Sequence, residues 1–131
     1  MTNQALIDSA REALKNSYSP YSEFKVGAAL LCSDGSVYSG CNIENSSYSA
    51  TVCAERTAFF KAISEGKRDF SAIAIVGGKN GDYSSPCTPC GVCLQVMSEF
   101  CGDGFKILLR NGDGINELTL KELLPNSFKL R

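Results

Sequence analysis

The sequence predicts an α/β layered domain around a mixed sheet. Two observations carry this. Helical and strand-like patterns alternate along the chain, in the order helix, hairpin, helix, strand, helix, strand and a short ending. An Asp-Gly pair between two apolar runs marks the hairpin.

Taken in order, Ala5, Leu6, Ala10, Ala13 and Leu14 recur at helical spacing, with Thr2 or Asn3 as the cap. Residues 16–23, with Ser19-Pro20, read as a loop. Residues 25–31 and 37–40 flank Ser33-Asp34-Gly35-Ser36 as the hairpin strands, and the polar stretch 42–49 reads as a loop. Residues 53–63 turn helical, with Gly66 as a stop. Residues 70–77 are β-branched and apolar, as in a buried strand, and 78–89 form a Gly/Ser/Pro loop. A third helix is expected over 90–100 and a strand over 105–109. Asn111-Gly112-Asp113-Gly114 is a turn, 116–118 a short strand, and 120–124 a short helix ended by Pro125. No repeat, low-complexity tract or linker interrupts the chain, so residues 1–131 are expected to form one domain.

The 131 residues are 44% hydrophobic and 21% charged, enough for one real core. The net charge of -1, with no basic stripe, argues against a nucleic-acid partner. Apolar runs such as 26–31 are too short to span a bilayer, and residues 1–10 lack a basic region followed by an apolar one. A cytoplasmic protein is expected, with no membrane partner.

Seven cysteines are present: Cys32, Cys41, Cys53, Cys87, Cys90, Cys93 and Cys101. An odd number without an export signal favours metal or redox chemistry over a disulfide framework. There is no histidine. A zinc site must therefore use Cys or carboxylate ligands, and a general base must be another residue type.

The strongest feature is Cys53-Ala54-Glu55 together with Pro89-Cys90-Gly91-Val92-Cys93. Cys90 and Cys93 are about one turn apart and share a helix face. A third thiolate from another helix leaves the fourth position of tetrahedral zinc open, as in a catalytic site. Cys53 and Glu55 are two residues apart and converge on one ion only from the first turn of a helix. Both helix N-termini then aim partial positive charge at the thiolates. Three thiolates leave the zinc complex at -1, and a neighbouring cation would offset this. Arg56 is the candidate; the alternative is a solvated helix arginine. Cys87-Thr88-Pro89-Cys90 offers a second Cys-x-x-Cys, so Cys87 is an alternative or fourth ligand. A Cys-x-x-Cys is also compatible with a redox pair or a closed zinc-binding interaction module. Cys32, Cys41 and Cys101 read as buried, inert thiols.

The chain resembles the small, homotetrameric cytidine deaminases. CAERTAFFKAISEG (53–66) and TPCGVCLQVMSEF (88–100) look like their two zinc helices. SPYSEFKVGAAL (19–30), GCNIENSSYSATVC (40–53) and ELLPNSF (122–128) are similar too, in the same order. The resemblance implies a three-layer α-β-α fold with a mixed five-stranded sheet. It implies one zinc per subunit on Cys53, Cys90 and Cys93, with Glu55 as the proton shuttle. Asn42 and Glu44 match residues that bond the ribose 3′-hydroxyl, and Phe24 an aromatic beside the nucleoside. Backbone groups of Ala54 and Cys90 match contacts to the base edge. Ser46, Tyr48 and Phe128 match positions that reach a neighbouring subunit's site. The implied reaction is hydrolytic deamination of cytidine, and of deoxycytidine, in pyrimidine salvage. The family usually carries Arg after the second Cys, where this chain has Leu94, which puts more weight on Arg56. A related reading is a deaminase of a nucleoside-like antibiotic or a free base; Asn42 and Glu44 favour a ribose-bearing substrate.

Overall fold

The computed structural model describes residues 1–130. Thr2 starts the first helix, α1 (Asn3–Ala13), its hydroxyl accepting from the Ala5 N–H at 3.1 Å. Leu6, Ile7 and Ala10 are buried on one face of α1. The hairpin strands are β1 (Phe24–Cys32) and β2 (Val37–Cys41). Gly35 turns between them at φ +92°, a left-handed conformation that costs glycine little. There follow α2 (Ala54–Ser64), β3 (Phe70–Lys79), α3 (Gly91–Phe100), β4 (Lys106–Asn111), β5 (Gly114–Thr119) and α4 (Leu120–Leu123).

The strands form one sheet in the order β2-β1-β3-β4-β5. The β3–β4 pair is parallel; the other three pairs are antiparallel. A parallel pair needs a crossover, and the segment carrying α3 supplies it. Because side chains alternate across a sheet, neighbours in sequence enter different cores. Ala28, Leu30, Ile73, Ile75, Ile107 and Leu109 pack with residues of α2, α3 and α4. Ala29, Ala72, Ala74, Val76 and Leu108 pack with α1. The result is the expected three-layer α-β-α arrangement with a mixed five-stranded sheet. Phe59 of α2 meets the rings of Phe70 and Phe105 edge-on, at centroid distances of 5.1 and 6.0 Å.

Several boundaries differ from the sequence expectation. β3 continues through Gly78 and Lys79, because Lys25 and Phe24 pair with them across the sheet. β5 begins at Gly114, because a tight turn lets Asn111 pair with it. α4 opens with a reciprocal Thr119–Glu122 capping box. No helix among the described residues is long and apolar enough to cross a membrane.

Two close approaches set the helices on the sheet. A Cβ on Gly27 would lie 2.0 Å from the Ala10 carbonyl oxygen, so α1 rests directly on β1. A Cβ on Gly40 would lie 2.7 Å from the Ala54 carbonyl oxygen and 2.6 Å from the Ala58 nitrogen. Glycine at position 40 therefore seats the first turn of α2 on β2, beside the functional site.

Candidate functional site

Cys53 and Cys90 are the N-cap residues of α2 and α3. Both have extended backbones, and neither side chain caps its own helix. Their sulfurs turn toward each other, with Sγ atoms 3.7 Å apart. Cys93, in the first turn of α3, lies 3.6 Å from Cys90 between sulfurs. Among the described residues these three form the one group of Cys and carboxylate side chains close enough to hold a metal ion, all within 4.8 Å of one another. Zinc–sulfur bonds of about 2.3 Å at tetrahedral angles place sulfurs about 3.8 Å apart. The observed spacings fit zinc closely. Cys93 is buried, Cys53 half-buried and Cys90 exposed, so the cluster opens to one side.

Cys87 stands apart. It is outside the three-sulfur group, and its Sγ packs so tightly on β3 that a Cβ on Gly77 would meet it at 2.8 Å. Burial pushes its thiol up to about 12, with the negative charges of Glu55 and Cys53 adding to the effect. It lines the cavity wall, and its place outside the three-sulfur group is what separates it from the candidate metal ligands. Cys32 and Cys101 are buried and Cys41 half-buried, with Cys41 and Cys101 also pushed up by burial.

Arg56 turns toward the cluster rather than into solvent. Its Nη2 donates to Cys53 Sγ at 3.4 Å. A hydrogen bond from the Cys93 thiol, followed by the guanidinium, holds the Cys53 thiol well below its ordinary value. Arg56 Nε is buried and makes no hydrogen bond. Leu94, where the resembling family carries a second arginine, is buried in the core with Met97 and Ala58.

Glu55 is only 4% exposed, at the second position of α2. Burial pushes its carboxyl up to about 7, and the Cys53 charge acts in the same direction. A carboxyl with that value can both take and give a proton near neutral pH. Glu55 lines a cavity of about 180 Å³ together with Cys53, Cys90, Ala54, Asn42 and Glu44.

The sugar-binding candidates of the sequence therefore share a cavity with the metal cluster. Asn42 and Glu44 are themselves tightly held. Asn42 Oδ1 accepts from the Val26 N–H at 2.9 Å and from the Ser17 hydroxyl, and its Nδ2 donates to the Phe24 carbonyl at 2.8 Å. Glu44 accepts from the Tyr21 and Ser22 N–H groups and from the Ser22 hydroxyl. These bonds, the hydroxyl's first, hold Glu44 below the usual carboxylate range. Ser17 and Ser22 escaped the sequence reading, because serines in a polar loop carry no spacing that marks them.

The remaining candidates lie elsewhere. Phe24 starts β1 partly exposed, outside the residues that line the cavity. Ser46 shares a 2.7 Å hydrogen bond with the Tyr21 hydroxyl. Tyr48 is 84% exposed beside a shallow depression it shares with Tyr21, Ser22 and Glu44. Phe128 is 64% exposed, and its carbonyl accepts a 3.3 Å bond from Gln95 of α3.

Residues 1–108 match the family described as the cytidine and deoxycytidylate deaminase zinc-binding region. The chain is 54% identical to a cytidine deaminase of Halalkalibacterium halodurans over 98% of this chain and 95% of that one. It is 51% identical to one of Sporosarcina psychrophila, over 98% and 92% of the two chains. It is similar in structure to a cytidine deaminase from Burkholderia pseudomallei, with TM-score 0.88, 46% identity, and 98% and 100% of the chains covered. With a three-sulfur cluster on two helix N-termini, a buried glutamate beside it, and a match over most of its length, this chain belongs to the zinc-binding cytidine and deoxycytidylate deaminase family.

Proposed function

We propose that this protein hydrolyses the 4-amino group of cytidine and deoxycytidine, giving uridine or deoxyuridine and ammonia. The observation that carries the reading is Glu55, buried beside the three-sulfur cluster in a cavity that also holds Asn42 and Glu44. Cys53, Cys90 and Cys93 would hold zinc, which when bound would supply Lewis-acid chemistry that makes a water easier to deprotonate near neutral pH.

The chain's own residues do the rest. Glu55 takes the proton released as the water oxygen bonds to C4 of the ring. It places that proton on N3, then takes the proton of the new C4 hydroxyl and delivers it to the amine as the C4–N bond breaks and the C4 carbonyl forms. Water and cytidine thus account for both products. Such proton transfer contributes roughly 10²–10⁴-fold. Arg56 offsets the excess negative charge of three thiolates. Asn42 and Glu44 take the ribose 3′-hydroxyl, Phe24 packs beside the nucleoside, and backbone groups of Ala54 and Cys90 meet the base edge.

The reading extends to assembly. Ser46, Tyr48 and Phe128 complete the site of a neighbouring subunit in a homotetramer. Their place outside the chain's own cavity, and the exposure of both aromatic rings, support this. Residues 1–131 act as one domain, in the cytoplasm, in pyrimidine salvage.

The test is incubation of the zinc-loaded protein with cytidine while following ultraviolet loss and ammonia release. Both are expected, in equal amounts. Neither signal, from folded protein with one zinc per chain, would overturn the reading.

A further inference from the structure

We propose that Ser22 is a positioning residue for sugar recognition, its hydroxyl holding the Glu44 carboxylate in the orientation that accepts a ribose hydroxyl. The inference rests on the reading of the cavity as a nucleoside site.

A carboxylate offers about four lone-pair sites, two on each oxygen. Glu44 Oε1 accepts from the Tyr21 N–H at 2.9 Å and the Ser22 N–H at 3.1 Å, which fills it. Oε2 accepts from the Ser22 hydroxyl. One site is left, on the same oxygen that the Ser22 hydroxyl touches. The direction of that last lone pair is therefore set by Ser22.

The Ser22 hydroxyl is engaged on both sides, donating to Glu44 Oε2 and accepting from the backbone. It carries one proton, and its oxygen accepts the Phe24 N–H at 3.0 Å. The chain reaches this arrangement through Glu23, a non-glycine residue at φ +59°. Its N–H bonds back to the Ser19 carbonyl at 2.9 Å. That left-handed residue reverses the backbone, so the Phe24 N–H returns to the Ser22 oxygen. Strain of this kind persists where surrounding bonds over-determine it.

Asn42 supplies the complement. Both lone pairs of its Oδ1 are taken by the Val26 N–H and the Ser17 hydroxyl. One of its two Nδ2 hydrogens goes to the Phe24 carbonyl. One donor remains on Asn42 and one acceptor on Glu44. A single sugar hydroxyl, which donates once and accepts, satisfies both. The Phe24 backbone joins the two halves, its carbonyl holding Asn42 and its N–H holding Ser22. No residue of the loop 16–23 lines the cavity beside Glu55, Cys53 and Cys90, so the loss of Ser22 acts on binding and not on proton transfer.

The experiment compares three nucleosides on the wild type, Ser22→Ala and Ser22→Thr, each checked for zinc content and melting temperature. Ser22→Ala is expected to raise KM for cytidine by about tenfold, the scale of one hydrogen bond to a charged group, with kcat within about twofold. Deoxycytidine, which keeps the 3′-hydroxyl, shows the same rise. 3′-Deoxycytidine, which lacks it, has a high KM on the wild type that Ser22→Ala leaves unchanged. Ser22→Thr, which keeps the hydroxyl, restores the cytidine value. If the alanine variant does not accumulate, Ser22→Cys keeps the volume with a weaker donor and gives the same pattern. An unchanged cytidine KM in Ser22→Ala overturns the proposal, and so does an equal rise on all three nucleosides, which would mark a general structural role. Absence of cytidine turnover by the wild type is read separately and overturns the functional reading together with the inference.

Discussion

Cys53 Sγ and Cys90 Sγ lie 3.7 Å apart, and each residue is the N-cap of its own helix. A Ser or Asp at such a position would spend its side chain on the helix's free N–H groups. A thiol is a poor cap, so both sulfurs are released to face one another. The same geometry directs two helix N-termini at the cluster, which favours thiolates. Glu55 and Arg56, in the first turn after Cys53, then reach the cluster from one helix.

Cys53→Ala and Cys93→Ala are each expected to lose zinc, while Cys87→Ala retains it. The metal content of protein purified without added zinc checks this. With its thiol pushed up to about 12, Cys87 should also resist iodoacetamide at pH 8, where roughly one molecule in ten thousand is thiolate. Equal zinc loss in all three variants would show that the three-sulfur assignment is wrong.

Glu55→Gln should keep zinc and melt like the wild type, yet lose deamination by at least about 10²-fold. The side chain is buried, and there is no histidine in the chain to substitute for it. Steady-state turnover of cytidine at matched zinc occupancy reads the effect. Turnover near the wild-type rate would remove Glu55 from the reaction.

Arg56→Gln should weaken turnover and shift the pH dependence of zinc retention upward. The sign follows from charge. The guanidinium, 3.4 Å from Cys53 Sγ, favours the thiolate over the thiol, so it lets zinc compete with protons down to a lower pH. Without it, zinc should leave at a higher pH as the solution is acidified. Zinc release to a chromogenic chelator between pH 8 and pH 5 measures the midpoint; an unmoved midpoint would mean that helix N-termini suffice.

Gly40→Ala should destabilise the fold by roughly 1–3 kcal/mol, as overpacking does, and loosen zinc binding as well. The added methyl would press on backbone atoms of Ala54 and Ala58, and so on the turn that carries Cys53 and Glu55. Denaturant melts with and without zinc separate the two effects. A variant as stable as the wild type, holding zinc equally well, would show that α2 can shift freely.

Truncation after Asn126 should weaken cytidine binding strongly while zinc stays bound. Phe128 lies exposed beyond the fold, and termini fray unless docked. Burying its ring against another surface would contribute roughly 1.5–3 kcal/mol. Mixing the truncated protein with full-length Glu55→Gln should restore some activity once subunits exchange. Confirmed exchange with no recovery would defeat the assignment in trans.

The chain by itself determined the chemistry available and the local elements. Without histidine, Cys53-Ala54-Glu55 and Cys90-Gly91-Val92-Cys93 left few ways to build a zinc site, and helix spacing required that the first group sit in a first turn. Periodicity marked α1, α2 and α3, and Asp34-Gly35 marked the hairpin, because each depends on contacts within a few residues. Strand order, the inclusion of Gly78 and Lys79 in β3, and the exclusion of Cys87 from the cluster were decided only by tertiary structure. So were the burial that pushes Glu55 to about 7 and the hold of Ser17 on Asn42 and Ser22 on Glu44. These depend on groups far apart in sequence, brought together where Gly40 and Gly77 allow backbones and sulfur to approach closely. A local pattern carries no record of such neighbours, whereas desolvation and hydrogen-bond geometry arise entirely from them.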